Sequence, residues 1–375
     1  MKRIVAALLI LALVSGMALA APAPPEIIAP SAVLMERDTG RVLYQKDAHT
    51  KRPPASVTKI MTLLLVMEAL DAGKISMGDM VTVSPHAAGM GGSQVYLEPG
   101  EQMSMDDMLK AVVVASGNDA AVALAEHVAG SEEGFVALMN ARAKDLAMND
   151  THFVNCTGLD AEGHVTSAYD IAIMSCALLK HEKIKNYTTI WMDSLRGGTF
   201  QLANTNKLIR SYKDITGLKT GFTSTAKYCM AASAEREGME LVAAVMACPS
   251  IPDRSASATR LLDYGFANFA LYDGAKDVAL APVTVLSGVE DACAAKLGGG
   301  AKLLLEKGVV SELAQRVELP ENVKAPVAAG QTLGALKIMR GEQELASVPI
   351  VAAVSVERQS LPYIFWNLLA RCMMK

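Results

Sequence analysis

The sequence predicts an α+β chain: a helical first part, then antiparallel strands, then a separate small all-β region. Three observations carry that expectation. Apolar residues recur at helical spacing through much of residues 56–180, whereas from about 213 they fall into short runs separated by turn residues. Past Asp273 the runs are Val-rich and Ala-rich and are broken by clusters such as Gly298-Gly299-Gly300, the pattern of a small β-sandwich. A length of 375 residues suits two domains with a sizeable buried core.

The elements follow in order. Lys2 and Arg3 precede the apolar run Ile4 to Val14, and Ala18-Leu19-Ala20 has the small-x-small pattern of a cleavage site. Residues 1–20 therefore read as an export signal, with an uncleaved anchor as the alternative. Residues 32–36 and 42–45 flank Arg37-Asp38-Thr39-Gly40-Arg41 as a hairpin. Ile60, Leu63, Leu64, Met67 and Leu70 make a helix that opens near Ser56 and ends near Gly73. Residues 81–102 read as loop with one short strand. Helices are expected over 105–115 and 119–128, interrupted at Ser116-Gly117-Asn118, then over 131–147 and from the cap Ser167 to about 180. Strands over 213–219, 228–234 and 241–247 precede a helix over 254–271. The β region then offers strands at 278–280, 283–286, 301–305, 317–319, 332–337 and 345–348. In the last stretch, 359–375, Leu361, Ile364, Phe365, Leu368, Leu369 and Cys372 share a helical stripe opposite Asn367 and Arg371. It is too short and polar to span a bilayer. It reads as an amphipathic helix lying on a membrane, or as one folded back on the β region.

Charge and composition exclude several classes. A net charge of −4 gives no basic footprint for nucleic acid. The six cysteines form no C-x-x-C pair and read as mostly free buried hydrophobes, with a single disulfide left open. His181-Glu182 is not followed by a second histidine at zinc spacing, so no metal is expected, nor any cofactor.

Three short stretches remain that can carry chemistry. In Ser56-Val57-Thr58-Lys59 the serine and lysine lie three apart and share a helix face, so an amine can act as base toward the hydroxyl once its pKa is lowered. An N-cap serine beside a solvated lysine explains the same letters. Ser116-Gly117-Asn118 presents two polar side chains from a tight interhelical turn, or merely caps the next helix. Lys219-Thr220-Gly221 ends a strand with an ammonium and a hydroxyl aimed at a carboxylate, or is a polar strand edge.

Taken together, in this order, the three stretches resemble the S-x-x-K, S-x-N and K-T-G triple of penicillin-recognising serine enzymes. The flanking text, including 151–159 and Phe222-Thr223, resembles the D-alanyl-D-alanine carboxypeptidases, over roughly residues 30–352. That resemblance implies a β-lactamase/transpeptidase-like domain over 21–274, an antiparallel sheet with helices on both sides and a helical subdomain. A small β domain over 275–353 and a membrane-associating helix over 354–375 would follow. It further implies Ser56 as nucleophile on a peptidoglycan stem peptide, Lys59 as base and Ser116 as proton relay. Asn118 would hold the peptide, and Lys219, Thr220 and Thr223 the terminal carboxylate. The glycine of the triple, Gly221, would leave room for backbone, and Phe222 with Ser56 would supply oxyanion N–H groups. Arg254 is a weaker carboxylate candidate, a surface or helix-start arginine being the alternative. β-Lactams would be covalent inhibitors. The rival readings are a β-lactamase, which lacks its expected Glu-x-x-Leu-Asn stretch between Asn118 and Lys219, and a non-catalytic peptidoglycan-binding protein.

Overall fold

The structure is a computed structural model that describes residues 23–373. The expected export signal lies outside the described residues, as do the side chains of Asn367, Leu368, Arg371 and Cys372.

A five-stranded antiparallel sheet forms the frame. Its strands are β1 (Ser31–Glu36), β2 (Val42–Lys46), β3 (Ile215–Thr223), β4 (Lys227–Arg236) and β5 (Met239–Cys248), in the order β2-β1-β5-β4-β3. Side chains alternate across it. Val242, Ala244 and Met246 of β5 face the helical subdomain, while Leu241, Ala243 and Val245 face the opposite layer. Both faces of β5 are apolar because both are covered.

On the first face lie α1 (Lys59–Asp71), α2 (Met105–Val113), α3 (Asn118–Ala129), α4 (Glu132–Asp145) and α5 (Ala168–Leu179). On the other lies α6 (Ile251–Asn268), which buries Ala258, Leu261, Leu262 and Phe266 against the sheet. Serine caps mark several starts: Ser104, Ser131, Ser167 and Ser250 each accept a backbone N–H three residues on. Helices on both sides of an antiparallel sheet match the expected architecture.

Three local expectations differ from the structure. Residues 269–271 are not helix; Phe269–Asp273 is a strand paired with Lys302–Glu306, and Leu304 of that partner joins the core under α6. A strand partner distant in sequence outweighs helical periodicity there. Residues 278–280 are not a strand: Val278 and Leu280 pack as side chains against the β-domain core, and Pro282 just beyond has no N–H for a ladder. The segment 81–102 also holds more order than expected, with Met80–Thr82 paired to Gln102–Ser104 around a short helix Pro85–Ala88.

The C-terminal region builds two small sheets, one of four strands around Thr332–Arg340 and Gln343–Ala352 and one of three around Val283–Leu286. Each side has its own apolar cluster, around Leu336, Ile338 and Ile350 and around Val285, Cys293 and Val327. Cys156, Cys176, Cys229, Cys248 and Cys293 are free and buried. A helix, Leu361–Met373, closes the described chain.

Candidate active site

The three motifs converge between the sheet and the helical subdomain. Ser56 sits in a single 3₁₀ turn, Ala55–Thr58, that runs directly into α1, and neither Pro54 nor Thr58 makes a side-chain cap. The serine is thus not a cap. Its hydroxyl lies 3.1 Å from Lys59 Nζ. Ala55 just before it has φ +49°, and Ser116 has φ +64°. Left-handed backbone at two non-glycine residues costs energy, and here it aims both motif serines.

Lys59 is wholly buried. Its amine donates to Asn118 Oδ1 at 2.5 Å and to Thr157 O at 2.8 Å. The Asn118 amide is oriented by its other end, which donates to Gly91 O, so Oδ1 can only accept. A neutral amine has two hydrogens and one lone pair. Two carbonyl acceptors therefore use both hydrogens, and the lone pair is left for the Ser56 hydroxyl. Burial drives the Lys59 pKa down to about 7, with Cys156 and Asp119 pulling weakly the other way.

Lys219 comes from β3 on the opposite wall. It donates to Ser116 Oγ at 2.9 Å and to Thr220 O at 3.0 Å. Burial pushes its pKa well down, and the neighbouring Lys59 and Arg254 push it further. Gly221 is needed for close approach: a Cβ there would stand 2.9 Å from both Pro54 O and Ser56 N. That contact brings β3 against the turn that carries Ser56.

The remaining expected residues divide. Thr220 donates its hydroxyl to Thr205 Oγ1 at 2.7 Å and stays in the cleft wall. Thr223 stands apart, with its hydroxyl donated to Asp160 and accepting Ala226 N–H. Phe222 is 54 % exposed and stacks on Tyr228. Arg254 is a helix-start residue but not a surface one: it is 5 % exposed in the first turn of α6, over the Tyr228 ring, with its Nε unpaired. Its positive charge disfavours the charged form of Lys219.

Several supporting residues were not among the expected site residues. Asp119 collects the N–H groups of Val95 and Leu97 and thereby shapes the loop whose Ser93 O receives Asn118 N–H. Asn155 ties Thr157 and Gly158 through its side-chain carbonyl. Among the described residues no cluster of three or more His, Cys, Asp or Glu has the geometry of a metal site.

The sequence matches the Peptidase_S11 family, D-alanyl-D-alanine carboxypeptidase, over residues 18–250. The chain belongs to that family. Residues 268–358 of this carboxypeptidase match the C-terminal domain of penicillin-binding protein 5. It is 44 % identical over 335 residues to the D-alanyl-D-alanine carboxypeptidase DacF of Bacillus subtilis, covering 88 % of this chain and 86 % of the relative. It is 32 % identical over 342 residues to DacA of Escherichia coli, covering 88 % and 84 %. Among solved structures, penicillin binding protein 5 from Haemophilus influenzae is similar with a TM-score of 0.75 and 31 % identity, over 90 % of this chain and 99 % of that one. The carboxypeptidase therefore acts as a hydrolase on peptidoglycan stem peptides and is a penicillin-binding enzyme.

Proposed function

We propose that this carboxypeptidase works through an acyl-enzyme on Ser56. Neutral Lys59 takes the hydroxyl proton as Ser56 Oγ attacks the carbonyl between the two terminal D-alanines. Backbone N–H groups of Ser56 and Phe222 receive the oxyanion, whose charge exists only at the transition state and intermediate. Ser116 relays to the departing D-alanine amine the proton that Lys59 took from Ser56, which returns Lys59 to its neutral form. Lys219 and Thr220 hold the terminal carboxylate, with Arg254 strengthening the field, while Thr223 supports the turn through Asp160. Water then hydrolyses the ester. The observation that carries this reading is the placement of the buried Lys59 amine within hydrogen-bond distance of two carbonyl oxygens and of Ser56 Oγ, an arrangement that in the neutral amine leaves its lone pair for the hydroxyl.

The test is intact mass after incubation with penicillin, followed by peptide mapping, beside an assay of D-alanine release from a pentapeptide. An adduct on the peptide containing Ser56 together with release is expected. Binding of the pentapeptide without release would favour the non-catalytic reading, and rapid loss of the penicillin adduct a β-lactamase.

We further propose export through residues 1–20, the domain division at about 274, and attachment to the outer face of the membrane by the C-terminal helix. Support for the last comes from Leu361, Phe365, Trp366 and Met373, each more than half exposed on Leu361–Met373. No helix among the described residues is long and apolar enough to cross a membrane. Protein ending at Val356 should stay in the supernatant with anionic vesicles while the full-length chain pellets. Pelleting of both would remove the helix as anchor.

A further inference from the structure

One titratable side chain that the proposed chemistry does not use is buried against the nucleophile turn. His164 is 2 % exposed. Its Nδ1 lies 2.9 Å from Val154 N, and a backbone N–H can only donate, so Nδ1 is the acceptor. An uncharged ring then carries its hydrogen on Nε2, which lies 2.9 Å from Thr58 Oγ1 and donates to it. The two partners are informative. Thr58 directly precedes Lys59, and Val154 lies three residues before Thr157, whose carbonyl accepts the Lys59 amine. One ring thus spans the two segments whose separation sets that contact. A second tie between them, Thr62 Oγ1 to Cys156 O at 2.7 Å, acts further along α1.

We infer that His164 is a positioning residue for acylation: as a neutral, Nε2-protonated ring it clamps residues 154–157 onto the nucleophile turn and holds Thr157 O on the Lys59 amine. The inference rests on Lys59 being the base. Protonation would set an Nδ1 hydrogen against the Val154 N–H, donor facing donor, and open the clamp. The surroundings oppose protonation. Burial is the main cause and His152 adds to it, outweighing Asp160, so the pKa falls to about 4. The Phe153 ring, 5.9 Å away, packs on the same side. Folding accordingly weakens as pH drops from the ordinary 6.5 to about 4, because the unfolded chain takes up a proton that the buried ring refuses.

The test compares His164→Phe, which keeps a ring but removes both bonds, with His164→Asn, which keeps an acceptor near the Nδ1 position. Stopped-flow acylation by a fluorescent penicillin separates pre-covalent binding from the acylation step. His164→Phe should slow the acylation step by about 10²-fold, the scale of a misplaced catalytic group, with pre-covalent binding unchanged. His164→Asn should restore most of the rate. Nitrogen-15 NMR of the wild-type ring should show the neutral Nε2–H tautomer from pH 8 to pH 5, and it decides the matter if the Phe variant does not fold. Wild-type acylation by His164→Phe, an Asn variant as slow as Phe, or a ring titrating near 6.5 would overturn the inference. A wild-type acylation rate without pH dependence near 7 would instead remove Lys59 as base, so the two failures are distinguishable.

Discussion

Lys59→Met should acylate about 10⁴-fold more slowly than wild type, near the upper end of what a positioned general base contributes. Stopped-flow penicillin binding measures it, with Ser56→Ala as the variant that forms no adduct. The wild-type profile should carry the same information. An ammonium has no lone pair, so the rate should rise with pH through about 7 and fall about tenfold for each unit below that. The depression has a specific origin. Lys59 has no carboxylate among its hydrogen-bond partners, only two carbonyls and a hydroxyl, so the loss of water outweighs the opposing pull of Cys156 and Asp119. Lys219 is held low for the same reason, with Lys59 and Arg254 as further causes. The substrate's own carboxylate is the counter-charge this wall lacks. Its arrival favours the charged form of Lys219 while leaving Lys59 the less charged of the pair. A pH-independent acylation rate between 5 and 8 would rule out this division of roles.

What the sequence made legible here is local. Ser56 and Lys59 share a face because the 3₁₀ turn that carries Ser56 into α1 aligns positions three apart, and Ser167 precedes an apolar run with an acidic residue three positions on, so both readings needed only neighbours. Motif order supplied the remainder of the site as far as Lys219. The roles of Thr157, Asp119, Thr205 and His164 could not be read because each acts through a backbone group or a partner far along the chain, and none has a distinctive spacing. Asp119 reads as an ordinary first-turn helix residue until the loop at 95–97 folds over it. The same logic explains two misread segments, 269–271 and 278–280. Val278 and Leu280 have strand-like composition but no ladder partner, whereas Phe269 has helical spacing and does find one, in Glu306. Thr223 and Thr220 both have their hydroxyls held by contacts within the chain, to Asp160 and Ala226 in one case and to Thr205 in the other.

Gly158→Ala should destabilise the protein by about 3 kcal/mol or more and remove acylation with it, measured by urea unfolding and penicillin labelling. Gly158 has φ +88°, and a Cβ built there would stand 1.9 Å from Ala55 O and 2.9 Å from Ser56 N. Both atoms are backbone, so no side chain can swing away. Relief requires moving either the nucleophile turn or residues 155–158. The first displaces Ser56, and the second pulls Thr157 O from the Lys59 amine, so each route that restores packing dismantles the catalytic pair. Gly163→Ala separates the two contributions. Gly163 also has positive φ, +79°, yet the nearest atom to a Cβ is 3.9 Å away on the His152 ring. That variant meets backbone strain alone, costs about 1 kcal/mol, and should acylate normally. If both glycine variants lost the same stability and both acylated at the wild-type rate, the contact between residue 158 and the turn carrying Ser56 would have no part in holding the nucleophile.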